Sequence, residues 1–245
     1  MCTVIYIPVR DGILFLSNRD ESPERPMALA PEIYSTDEIK YICPIDPQGG
    51  GTWVGANGNG DVIILLNGAY EKHIRKESYV RSRGLIVKEL LAKPMPVIQF
   101  SILNLNGIEP FTLIIWSEGN LFQLVWDGAN KHRAILSPKE AHIFSSAPLY
   151  PIEVREMRRI KFTSWLQDQT NPDAGSLLEF ILSDQESQNG FIMNRNEKVK
   201  TLSTTVLQYS SNEVCFKYKM RDSSEITSVL FPFETAANIS CPLPF

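Results

Sequence analysis

Cys2, directly behind Met1, and the tetrad Asn18-Arg19-Asp20-Glu21 are the residues of this chain whose types and placement could do chemistry. Removal of Met1, which a small second residue permits, leaves residue 2 with both a thiol and a free α-amine. The amine ordinarily titrates near ~7.7–8.0 and the thiol near ~8.5, so around neutral pH one group can act as base for the other. A guanidinium beside the sulfur would favour the thiolate, and a carboxylate could orient the amine by accepting its hydrogen bonds. Arg19 and Asp20 are the candidates for these two roles, although the same pair would also serve as the charged end of a strand. Asn67 closes the apolar run Val62-Ile63-Ile64-Leu65-Leu66 and precedes Gly68, so it is a candidate oxyanion donor. A turn asparagine would read the same way. Trp53 is either a pocket wall or a core aromatic.

The elements around these residues must bring them together. Thr3–Val9 and Ile13–Leu16 are β-rich runs separated by Arg10-Asp11-Gly12, which predicts a hairpin with Asp11-Gly12 as its two-residue loop. That register sets Val4 opposite Arg19 and Cys2 opposite Glu21, with Arg19 a diagonal neighbour of Cys2 on the same face. Asp20 then points to the other face, and the chain is expected to turn near it. Strands are predicted around Thr52–Val54, Val62–Leu66, Phe111–Trp116, Leu121–Trp126, His132–Leu136, Ser203–Tyr209 and Val214–Tyr218, and helices over Tyr79–Leu91, Ile152–Leu166 and Ser176–Leu182. This order fits a sandwich of sheets with helical outer layers better than an alternating βαβ fold. Gly49-Gly50-Gly51 lacks the Lys and Ser/Thr of a phosphate loop, and reads as a close backbone approach beside the site.

Met1-Cys2-Thr3, Asn18-Arg19-Asp20-Glu21, Gly50-Gly51-Thr52-Trp53-Val54-Gly55 and Ser82-Arg83-Gly84, in that order, resemble the NRDE family, also called the transport and Golgi organisation 2 family. The likeness weakens after about residue 190. It implies an α+β fold, the four-layer αββα sandwich of the N-terminal-nucleophile (Ntn) hydrolases, over residues 1–245 as a single domain. More distantly the chain is similar to penicillin V acylase and bile salt hydrolase, which cleave linear amides with a processed N-terminal Cys. Carried onto this chain, the resemblance supports Cys2 as nucleophile with Arg19 and Asp20 as its partners; Asn67 joins them as the expected oxyanion donor, and Asn18, Trp53 and Ser146 are expected substrate contacts. Three departures stand out. Arg19 and Asp20 are adjacent where the acylases separate them by two residues, Ser146 replaces an asparagine, and Leu202 falls where relatives carry Arg, leaving the site less cationic.

The 24 basic and 28 acidic residues give a net charge of −4 without a long basic block, which argues against a nucleic-acid partner. The cysteines at 2, 43, 215 and 241 form no CxxC pair, and His73, His132 and His142 are widely spaced, so neither a metal nor another cofactor is expected. No apolar run is long enough to span a membrane, and a reducing, cytoplasmic location is expected. These readings point to a cysteine hydrolase cleaving a non-peptide C–N amide bond of a small molecule through a thioester. The alternative is a non-catalytic lipid, acyl-CoA or haem binding or trafficking protein on the same fold.

Overall fold

The computed structural model describes residues 3–184, 186 and 188–234. The amino-terminal half contributes strands β1 (Thr3–Val9), β2 (Gly12–Glu21), β3 (Leu29–Ser35), β4 (Lys40–Ile45), β5 (Val54–Asn57) and β6 (Val62–Asn67), then helices α1 (Arg83–Leu91) and α2 (Pro96–Ile102). Strands β7 (Phe111–Ser117), β8 (Asn120–Trp126), β9 (Lys131–Leu136) and β10 (His142–Ser145) follow, then helices α3 (Ile152–Gln167) and α4 (Ala174–Ser183). The chain returns to strand in β11 (Asn194–Arg195), β12 (Val199–Tyr209), β13 (Glu213–Met220) and β14 (Ile226–Pro232).

The strands make two antiparallel sheets. One has the order β10-β1-β2-β12-β13-β14, with β11 also paired to β12; the other runs in chain order from β3 to β9. Side-chain alternation along β1 and β2 divides the interior in two. Val4, Tyr6, Ile13 and Phe15 face the second sheet and join a core that includes Ile63, Leu65 and Leu113. Ile5, Ile7, Leu14 and Leu16 face the other way, against Phe162 of α3 and Leu177 and Ile181 of α4. On the outer side of the second sheet, α1 contributes Ile86, Val87, Leu90 and Leu91, and α2 contributes Phe100. The result is the αββα sandwich. No helix among the described residues is long and apolar enough to cross a membrane.

The first hairpin departs from its predicted register. Val9 pairs with Gly12 and Thr3 with Asn18, so Arg10-Asp11 forms the loop and Val4 lies opposite Ser17 rather than Arg19. The reason lies outside the turn. Gly12 opens β2 at φ +151°, and a Cβ there would sit 1.9 Å from the carbonyl oxygen of Tyr209, so glycine is needed for a close approach by β12. Because the register moves by two residues, face parity is unchanged and Arg19 still shares the inter-sheet face with Val4. Strand β2 also continues through Asp20 to Glu21 instead of turning at Asp20. Its partner β12 carries the irregularity: Thr201 pairs with Asp20 and Ser203 with Arg19, leaving Leu202 as the extra residue of a bulge.

Candidate active site

The far-separated motifs meet where β2 ends. Asp46-Pro47-Gln48-Gly49-Gly50-Gly51 closes on itself through the Asp46 amide donating to the Gly51 carbonyl (2.9 Å) and the Gly50 amide to the Asp46 carbonyl (2.8 Å). Ser82 caps α1 by accepting from the Leu85 amide, and Gly84 packs backbone to backbone against Gly51-Thr52. A Cβ on Gly51 would lie 2.4 Å from the Gly84 carbonyl carbon, while the Thr52 amide donates to the Gly84 carbonyl at 3.1 Å. The Gly-Gly-Thr-Trp and Ser-Arg-Gly motifs thus occur together because each supplies the backbone surface against which the other packs.

This junction walls a small cavity of about 110 Å³ that includes Arg19, Asp46, Trp53, Asn67 and Arg83. Arg19 is only 3 % exposed. Its guanidinium lies over the Trp53 ring at 4.9 Å, and Nη2 is 3.7 Å from Asp46 Oδ2. Burial lowers the Arg19 pKa from its ordinary value, and Asp46 is the strongest opposing influence. Nη2 and the Trp53 indole N–H have no hydrogen-bond acceptor among the described residues. Arg25 donates to the same Asp46 oxygen through Nε at 2.8 Å and Nη2 at 2.5 Å. Arg83 is tied to Glu109 at 3.1 Å.

Asn67 ends β6 at the cavity and is half-buried. Ser146 is placed behind it. The Ser146 hydroxyl donates to the Asn67 carbonyl at 2.7 Å, so this residue holds the Asn67 backbone instead of offering its proton to a ligand. Both residues also line a neighbouring cavity of about 310 Å³.

Asn18 and Asp20 lie on the opposite, helix-facing side of the sheet. Asn18 is fully buried, donating to the Phe191 carbonyl (2.8 Å) and accepting from the Thr204 hydroxyl (2.8 Å), which makes it a tie between strand and loop. Asp20 accepts from the Thr201 hydroxyl at 2.6 Å and from the Tyr150 hydroxyl at 3.1 Å. Tyr150 in turn accepts from Arg158 Nη2 at 2.9 Å, and Arg158 Nη1 donates to the Thr3 hydroxyl at 2.6 Å. The buried Arg158 also donates to the carbonyls of Asn189 and Gly190 and stacks 3.7 Å above the Tyr150 ring. Cys2 itself lies outside the described residues.

Of the residues expected at the site, the structure brings Arg19, Trp53 and Asn67 to one cavity; it sets Asp20 across the sheet, and Asn18 with it rather than in contact with a ligand. The sequence reading passes over Asp46, Tyr150, Arg158 and Thr201. Asp46 carried a signal in Asp46-Pro47 leading a glycine-rich turn. The other three come together only through tertiary contacts.

The two-sheet sandwich with helical outer layers is the fold of Ntn hydrolases, as solved structures show. An N-acylethanolamine-hydrolyzing acid amidase ortholog from Caenorhabditis elegans superposes with a TM-score of 0.58 at 13% identity, covering 84% of this chain and 92% of that one. A cysteine-to-alanine mutant of conjugated bile acid hydrolase from Clostridium perfringens gives 0.55 at 11% identity over 96% and 97% of the two chains. A second variant of that hydrolase, with an arginine changed to leucine, gives 0.57 at 11% identity over 93% and 92%. No curated protein sequence matches. The family model for transport and Golgi organisation 2 matches residues 1–226, and the chain belongs to that family.

Proposed function

We propose that the protein is a cysteine hydrolase of the N-terminal-nucleophile type, cleaving a non-peptide C–N amide bond of a small molecule. The observation that carries this reading is the convergence of Arg19, Trp53 and Asn67 on one cavity at the β2 end of the β1–β2 ladder. The described ladder ends at the Thr3–Asn18 pair, next in sequence to Cys2 on one strand and to Arg19 on the other, which supports a role for Cys2 there. In this reading Asp20 serves the α-amine of Cys2 and Arg19 serves its thiol.

In this scheme the α-amine of processed Cys2 takes the thiol proton, and the thiolate attacks the amide carbonyl carbon. Negative charge on the carbonyl oxygen is met by the Asn67 amide and by Arg19, in a site where such donors need no reorganisation. The C–N bond breaks, the leaving amine takes the proton back from the α-ammonium, and a thioester remains. Water attacks the thioester with the amine again as base, releasing the carboxylic acid and the thiol. Location in the cytoplasm and the one-domain organisation belong to the same proposal.

Intact mass and competitive alkylation test it. Protein expressed in bacteria should lack Met1, and a sub-stoichiometric electrophile near neutral pH should label Cys2 ahead of Cys43, Cys215 and Cys241. Arg19→Ala should slow labelling of Cys2 alone, with circular dichroism unchanged. Quantitative retention of Met1 would remove the general base and favour the ligand-binding alternative.

A further inference from the structure

A second cavity, of about 260 Å³, shares Arg19 with the first, and its lining changes character. The first is bordered by Glu21, Arg25, Asp46 and Arg83. The second is walled by Met27, Ala28, Leu202, Tyr218 and Met220, with charged residues around them. Two of its polar groups are deeply buried: Arg19 at 3 % exposure, whose Nη2 lacks a hydrogen-bond acceptor among the described residues, and Tyr218 at 2 %. Leu202 is there because of the bulge: as the unpaired residue between Thr201 and Ser203, it is released from the β2–β12 ladder and lines this space. Bulges next to functional sites commonly re-aim one side chain in this way.

We propose that this cavity is the subsite for one unbranched apolar arm of the substrate, with Leu202 and Met27 as the residues that select it. The polar end of the ligand meets Arg19 and the arm runs along Leu202, Met220 and Met27. The volume lies just below the ~300–1,000 Å³ of pockets for drug-sized ligands, a size that suits one short chain. The assignment rests on the hydrolase reading only for where the scissile bond sits; the subsite itself is a matter of binding.

The test separates the two. Straight-chain primary carboxamides from butanamide to octanamide are titrated by calorimetry into the full-length Cys2→Ala protein, which cannot turn over. Affinity should rise by about fourfold per added methylene until the cavity is filled. Leu202→Arg, and independently Met27→Arg on the exposed rim, should abolish the length dependence with the thermal midpoint unchanged, whereas Leu202→Met should keep it. Binding independent of chain length, or a length dependence that survives both arginine variants, overturns the subsite whether or not the protein hydrolyses amides. Length-dependent binding lost in those variants supports the subsite even if the Cys2 protein turns nothing over, in which case only the hydrolase reading falls.

Discussion

Replacing Asp46 with Asn tests whether the cation of the cavity is held by its own counter-ion. The Arg19 guanidinium lies 3.7 Å from Asp46, with side-chain exposures of 4% and 14%. Unit charges at that distance attract by about 4 kcal/mol at an effective dielectric of about 20. Arg25 claims the same carboxylate oxygen and repels Arg19, which offsets part of that attraction. Asp46→Asn leaves a buried guanidinium without a carboxylate, a class of change that costs roughly 3–5 kcal/mol, and we expect about 3 kcal/mol here. With a urea m-value of about 3 kcal/mol/M, the midpoint should fall by about 1 M. Arg19→Met in the Asp46→Asn background should recover part of the loss, because it removes the orphaned charge, giving a coupling of about 1.5 kcal/mol or more in the double-mutant cycle. An Asp46→Asn protein within about 0.5 kcal/mol of wild type, or strictly additive mutants, would refute the pairing.

Burial pushes the Cys43 thiol up to about 12, so native protein should leave Cys43 unalkylated at neutral pH until denaturant is added; labelling mass spectrometry checks this, and native labelling at the rate of Cys215 would contradict it. Asp61 is buried and accepts from Ser117 and Asn57, yet burial raises its pKa above the ordinary value. A raised folded-state pKa means that its contribution to stability is full below the unfolded pKa and lost as pH rises through the folded one. Asp61→Asn should therefore fall short of wild type most at acid pH and least at neutral pH, as urea midpoints across that range will show; a deficit that grows with pH would reverse the sign. Gly51→Ala must part the two backbones at Gly84 and should cost about 2 kcal/mol or more in urea unfolding, where a neutral result would mean that the junction yields freely.

Much of the fold could be read from periodicity. The run Val62–Leu66 and the pairing of Phe111–Ser117 with Asn120–Trp126 appear as strands because they are apolar or flank a short turn, and α3 and α4 follow their helical spacing. The strands Leu29–Ser35 and Lys40–Ile45 escaped because they alternate weakly and contain Pro31 and Pro44. Helix α1 is shorter than the predicted Tyr79–Leu91, since Ser82 caps it. At the site, Arg19, Trp53 and Asn67 were legible from type and motif. Asn18 and Ser146 were legible as special positions, but their hydrogen bonds are to the protein's own backbone and side chains, a fact fixed by β12, by the loop at Phe191 and by the end of β6. Asp46 depends on a loop folding back to β2, and no local spacing encodes that approach.

The most direct measurement is capture of the acyl-enzyme. Protein incubated with the p-nitrophenyl ester of a short straight-chain acid, quenched in acid and digested should carry the acyl group on an amino-terminal peptide that begins at Cys2. Hydroxylamine should remove it, as it removes a thioester, and Cys2→Ala should carry none. An acyl group found only on other residues, or a peptide that begins at Met1 and remains unmodified, would contradict the assignment of Cys2 as the nucleophile.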